Sequence, residues 1–270
     1  NLKNLENGNG GALLLIGEAG MGKSRLIAEL RNKYSDQVQW HEGRAFSHTS
    51  SVSYSLINSL LDQILQTEKD SSLETLARAL DEFLVNTFPE NSSSLKAYLS
   101  RLRGLPAKPE FEEIFKDVLP SAIQARMHQA FTEVIAQLAH IQPLVLVFED
   151  LHWADETSFL LLNQLLALTK KLPIFFLLIS RNQENVEGWF EGLTLQSHDF
   201  EKLELSPLTS GQSTELLENL LKTDHLPSQT LSMILSKSEG NPFFLEELLR
   251  SLIETEMVIF QANKIRVSEH

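Results

Sequence analysis

Apolar positions along this chain follow two rhythms. Short continuous apolar runs lie at residues 13–16, 144–148 and 174–179. Runs of that length, apolar on both faces, predict strands buried inside a parallel sheet. Residues 38–40 and 203–205 read as two further, shorter strands. Elsewhere the spacing is helical. Leu26, Ile27 and Leu30 mark one helix, and Ile57, Leu60, Leu61, Ile64 and Leu65 another. Leu73, Leu76, Leu80, Phe83 and Leu84 mark a third, closed by Pro89; Ile123, Met127, Phe131, Val134, Ile135 and Leu138 mark a long fourth. Strands and helices in alternation predict an α/β fold.

Beyond Pro207 the pattern becomes helical, over residues 210–221, 228–236 and 243–254. Asn241 suits the N-cap of the last helix and Pro242 its first position. Residues 257–267 alternate like a hairpin turning at 261–263. Polar, turn-forming stretches fill the gaps: 47–55, 182–200 with Trp189 and Phe190, and 89–109, a loop-rich insertion around one short helix. Residues 1–12 start without Met, as if cut from something longer, and read as a helix tail and a flexible turn. The predicted organisation is an α/β domain over 1–207 with a helical insertion at about 56–120. A small helical lid over 208–256 follows, then the start of a truncated domain at 257–270.

Composition changes this picture little. Of 270 residues, 42% are hydrophobic and 22% charged, enough to bury a core. The net charge of −13 argues against direct nucleic-acid binding, because an acidic surface repels phosphates. Lys96, Arg101, Arg103 and Lys108 form the most basic stretch, read first as a solvated helix face and second as a partner patch. There is no cysteine, which excludes disulfides and thiol chemistry and fits a cytoplasmic location. The eight histidines are scattered, which argues against zinc. No apolar run reaches membrane-span length.

The chemistry concentrates at two strand ends. Gly17-Glu18-Ala19-Gly20-Met21-Gly22-Lys23-Ser24 matches the phosphate-loop pattern between a strand and a helix. Glycines 17, 20 and 22 would allow positive φ and close approach to a phosphate. Loop amides and the helix N-terminus would face the anion, Lys23 the β and γ phosphates, and the Ser24 hydroxyl Mg²⁺. The second end is the Glu149-Asp150 pair after the buried run, of Walker B type. One carboxylate would hold Mg²⁺ and the other polarise the attacking water, in either order. Asp155 can cap the next helix, and Trp153 reads as structural; His152 is a weaker candidate for facing the nucleotide. Arg181 ends the 174–179 run and could report on the γ-phosphate, or else pair with a surface carboxylate.

These stretches together resemble the AAA+-like STAND ATPases, in particular the bacterial branch of large ATP-binding LuxR-type regulators. The likeness is carried by residues 17–26, by Glu149-Asp150-Leu151-His152-Trp153-Ala154-Asp155, by Ser180-Arg181 and by residues 239–248. It implies a P-loop NTPase sheet flanked by helices, followed by a small helical domain. It implies that Arg25 belongs to the nucleotide-binding loop, that Arg181 is the sensor-1 arginine, and that Pro242 of Gly240-Asn241-Pro242 lies on or near the adenine. Gly43-Arg44 resembles a strand-end pair of the family. Glu149 stands where the family more often has Asp. No arginine finger stands out; Arg101, Arg103 and Arg126 are the candidates.

The expected function is a slow, regulatory ATPase switch in a larger signalling or transcription-regulating protein. Its ligands are ATP, ADP and Mg²⁺, and its partners are further domains of the parent chain and self-association. An initiator or loader AAA+ ATPase, or a nucleotide-holding scaffold with little turnover, are the alternatives.

Overall fold

The computed structural model describes residue 5 and residues 8–68, 70–106, 109–194, 200–221, 228–255, 258–261 and 264–267. The chain divides into two compact units, residues 1–15 with 30–203, and residues 16–29 with 204–270.

The first unit carries a parallel five-stranded sheet flanked by helices. Its strands are β1 (Gly11–Ile16), β2 (Gln39–Arg44), β3 (Leu144–Glu149), β4 (Ile174–Ser180) and β5 (Phe200–Glu204). They lie side by side in the order β2-β3-β4-β1-β5. β4 is buried throughout, and β3 up to its last residue, as continuous apolar runs require when helices cover both faces. Gln39 lies opposite Leu144 and Arg44 opposite Glu149; Leu144 in turn lies opposite Ile174. Because the strands are parallel, their C-terminal ends share one edge, where open α/β sheets place ligands.

The helices include α1 (Lys23–Tyr34), α2 (Ser55–Ile64), α3 (Leu73–Thr87), α4 (Ser92–Arg103), α5 (Pro109–Phe115), α6 (Pro120–Ile141), α7 (Glu156–Leu166) and α8 (Glu184–Thr194). Three features differ from the sequence reading. β2 runs on to Arg44, because its partially buried residues pair with β3 although they lack an apolar run. Residues 92–103 form a longer helix than the Ser, Gly and Pro content around them suggests. α4 buries Leu95, Leu99 and Leu102 and ends at Gly104, whose φ of +74° closes the helix. Finally, residues 184–194 are helical rather than loop. Val186 and Phe190 are buried on one face, and Trp189 donates to Asn163 Oδ1 at 2.8 Å. That packing overrides the poor helix propensity of Gly188 and Gly192.

The basic stretch is spent inside the unit. Arg103 grips Asp62 through two bonds of 2.7 and 3.0 Å, Lys96 pairs with Asp81, and Arg101 lies over the Phe115 ring. Lys108 lies outside the described residues. As finger candidates, Arg103 is therefore committed to Asp62, while Arg126 bonds Gln129.

In the second unit, α9 (Ser210–Leu221), α10 (Ser228–Ser238) and α11 (Pro242–Glu254) pack around Leu217, Ile234, Leu245 and Leu249. The pair β6 (Val258–Gln261) and β7 (Lys264–Val267) is antiparallel, as expected; its turn at 262–263 lies outside the described residues. Among the described residues, no helix is long and apolar enough to cross a membrane.

Candidate functional site

The phosphate loop joins the last residue of β1 to the first turn of α1. Leu205 N–H donates to the Ile16 carbonyl at 2.8 Å, anchoring the loop's entry. Gly20 and Gly22 have φ of +83° and +85°, where only glycine is unstrained. Gly17 does not, contrary to the expectation for all three glycines. Its role is room: a Cβ there would sit 3.1 Å from Leu205 Cβ and 3.3 Å from the Leu205 carbonyl oxygen. The Lys23 ammonium donates to the carbonyls of Gly17 (2.5 Å) and Glu18 (2.9 Å). Met21 N–H donates to Glu18 O and Leu26 N–H to Gly22 O, which turns the loop into the helix. Ser24 is exposed in the first turn.

Residues 240–246 grip this loop within the same unit. Gly240 has φ of +75°, and a Cβ on it would lie 2.3 Å from the Leu208 carbonyl oxygen, so only glycine fits. Asn241 caps α11 as expected, its Oδ1 accepting from Phe243 N–H at 3.0 Å and Phe244 N–H at 3.4 Å. Its amide also donates to the Ala19 carbonyl at 3.0 Å, and Phe243 N–H donates to the Gly20 carbonyl at 3.3 Å. Arg25 and Glu246 pair at 3.0 Å. Gly20 is doubly constrained, since a Cβ there would meet Asn241 Oδ1 at 2.5 Å. The capping role of Asn241 was legible from Gly-Asn-Pro; its bond to the loop, 222 positions away in sequence, was not.

The acidic strand end belongs to the first unit. The β2–β3 register sets Arg44 beside Glu149. Arg44 Nε donates to Asp150 Oδ2 at 2.9 Å and lies 3.7 Å from Glu149 Oε2. Gly43 explains how α2 comes so near: a Cβ on it would stand 3.0 Å from Leu60 Cβ and from the Leu56 carbonyl oxygen. The Arg44 N–H donates in turn to Ser59 Oγ on that helix. Burial pushes the Glu149 carboxyl up from the ordinary range; Arg44 pulls it back, while Glu42 and Asp150 push it further up. Asp150 has a φ of +56°, a left-handed turn that Asp tolerates better than most residues.

Asp155 is buried and caps α7, accepting from Ser158 N–H at 2.9 Å and from Ser158 Oγ at 2.6 Å. It also accepts from the backbone N–H groups of Tyr54 (2.9 Å) and Ser55 (3.0 Å), which tie the 50–55 segment to the acidic motif. Burial alone would raise its carboxyl; the bonds from Ser158, Thr157 and Tyr54 outweigh this and hold it below the usual range. His152 is buried, with Nδ1 3.5 Å from the Arg181 N–H, so it links the ends of β3 and β4. Arg181 itself is exposed. Among the described residues, no cluster of three or more His, Asp or Glu side chains is poised to hold a metal alone.

The loop fits a polyphosphate. Its two left-handed glycines lie at a helix N-terminus, and a Cβ on Gly22 would enter open space with nothing within 4 Å. A family model for the AAA ATPase domain matches residues 2–179. The chain belongs to that family. This AAA ATPase domain is 26% identical over 258 residues to an uncharacterized protein of Rhizobium meliloti (strain 1021). The match covers 89% of the chain but 22% of that relative, so the chain spans under a quarter of its length. Among solved structures it is similar to the Aeropyrum pernix ORC1 protein in complex with DNA. There the TM-score is 0.50 at 14% identity, covering 98% of this chain and 59% of that one. The Aeropyrum pernix ORC2 protein, as ADPNP–ADP complexes, matches at a TM-score of 0.48 and 13% identity, over 95% of this chain and 59% of that one. At such identities the ORC1 likeness is one of fold.

Proposed function

We propose that this AAA ATPase domain is an ATP-binding and slowly hydrolysing switch within a larger signalling or transcription-regulating protein of the STAND type. The observation that carries the reading is the phosphate loop gripped by the N-terminus of α11. Lys23 would exchange its loop carbonyls for the β and γ phosphates of ATP, and the amides of residues 18–25 would face the phosphate oxygens. Pro242 starts the helix whose neighbour Phe243 bonds Gly20, which suits a place near the adenine. Bound Mg²⁺ would neutralise charge on the β and γ phosphates, and Ser24 with one of Asp150 and Glu149 is proposed to hold it. Glu149, with its raised carboxyl, suits the polarising of the attacking water, and Arg181 the sensing of the γ-phosphate. Residues 208–256 would serve as the lid that answers the nucleotide, because Asn241 and Phe243 read the loop's backbone directly. The difference between ATP and ADP then biases a two-state element, as a regulatory module requires.

Calorimetric titration with ATP and ADP, with and without Mg²⁺, tests the reading. Micromolar binding that weakens by about tenfold or more in Lys23→Ala supports it, and binding unaffected by that change sinks the site assignment. The initiator-like alternative draws on a neighbour described as bound to DNA, but the net charge of −13 weighs against it. A salt-sensitive shift of duplex DNA by this chain would favour that alternative.

A further inference from the structure

Asp155 holds the starts of two helices with one carboxylate. Its Oδ1 accepts from Ser158 N–H in α7 and from Tyr54 N–H, both at 2.9 Å. Its Oδ2 accepts from Ser55 N–H at 3.0 Å and from Ser55 Oγ at 3.2 Å, in the first turn of α2. The N-cap residue of α2 is Tyr54, with φ of +60° and ψ of +23°. A left-handed backbone is strained for an aromatic residue, and such strain persists only where the surroundings over-determine it. Tyr54 is buried and held at both ends. Its N–H donates also to Thr157 Oγ1 at 2.9 Å. Its hydroxyl lies 3.0 Å from His128 Nε2 and accepts from Gln124 at 3.3 Å, both on α6.

The body of α2 leads back to the acidic pair. Ser59 Oγ, one turn into the helix, accepts from Arg44 N–H at 3.0 Å, and Gln63 Oε1 accepts from Glu42 N–H at 2.5 Å. The Arg44 side chain then reaches Asp150 at 2.9 Å and Glu149 at 3.7 Å. The bonds close a ring, from Asp155 through α2 and β2 to the carboxylates five and six positions before it. We propose that Tyr54 is a positioning residue for this ring. Clamped between Asp155 and α6, it fixes the start of α2, and α2 in turn seats Arg44 on Asp150 and Glu149. An effect on turnover rests on the ATPase reading; the seating of Arg44 does not.

The first readout is hydrogen exchange at the Arg44 Nε–H, followed by NMR on the whole chain without nucleotide. Ser55→Pro releases the clamp. Proline suits the first position of a helix, but it deletes the Ser55 N–H and drives the residue before it to an extended backbone. Exchange at Arg44 should then quicken about tenfold, while the Arg103 Nε–H, bonded to Asp62 near the far end of α2, should keep its rate. Turnover at saturating ATP should fall about fivefold or more, with the Kd for ATP within about twofold of the native chain. In an Arg44→Gln background the same change should cost under about twofold, because the residue it acts through is gone. Tyr54→Phe removes only the hydroxyl end and should move both readouts the same way by less; it decides alone if Ser55→Pro does not melt cooperatively. Unchanged Arg44 exchange in the variants that fold overturns the proposal. Equal quickening at Arg44 and Arg103 overturns it too, since the helix would then have loosened as a whole. A native chain without turnover counts against the ATPase reading, and the exchange readout still decides the seating of Arg44.

Discussion

Single residues carry the sharpest consequences. Lys23→Ala removes a charged donor from the proposed phosphate contact, worth about 1.5–3 kcal/mol. ATP affinity should fall by roughly one to two decades, read by calorimetry. For Glu149, burial raises the carboxyl and Arg44 opposes it, so a base there becomes competent only as pH climbs through the raised value. Arg44→Gln removes the opposing charge, so the acid limb of the ATPase pH profile should move to higher pH; a move to lower pH would contradict the pairing. Asp155 has the opposite sign. Its folded carboxyl is held below its unfolded value, so its stabilisation is complete above the ordinary carboxylate range and is lost as pH falls through the folded value. Asp155→Ala loses a helix cap, about 1 kcal/mol, together with the bond from Ser158 Oγ, about 1 kcal/mol more. Urea unfolding at neutral pH should report the drop, and at strongly acid pH the two proteins should converge.

At the scale of elements, what matters is where backbones approach one another. Gly240→Ala would push a methyl group onto the Leu208 carbonyl at a positive φ, costing about 1–2 kcal/mol for the left-handed backbone alone. Asn241→Ala is milder for the fold: it loses the cap of α11, about 1 kcal/mol. It also frees the Ala19 carbonyl, so ATP affinity should fall more than stability accounts for. An Asn241→Ser variant keeps a cap but is too short for the loop. If it binds ATP as the native chain does, the grip on the loop has no part in nucleotide binding. α8 shows where periodicity misleads. Its two glycines and polar start read as loop, and the burial of Val186 and Phe190 makes it helical.

For the whole molecule, a ligand that binds only the folded state stabilises it by mass action. ATP at a hundred times its Kd should add about 2.7 kcal/mol to the unfolding free energy. Thermal melting should rise by several degrees with ATP and by clearly less in Lys23→Ala at the same ATP concentration. The relative from Rhizobium meliloti is far longer than the match.

Much of this was determined by the sequence alone. The two buried central strands follow from uninterrupted apolar runs at 144–148 and 174–179, because a sheet covered on both faces leaves no polar alternation. The phosphate loop, the caps at Asp155 and Asn241 and the helical C-terminal part follow from local rules, where the interacting groups are close in sequence. Tertiary structure decided the rest. No local pattern says that β2 neighbours β3, yet that register alone brings Arg44 to Glu149 and Asp150. None says that Asn241 reaches Ala19, or that Asp155 holds Tyr54, because those bonds span 222 and 101 positions. Hydrogen bonds between distant segments depend on how packed elements meet, and only the folded chain specifies that.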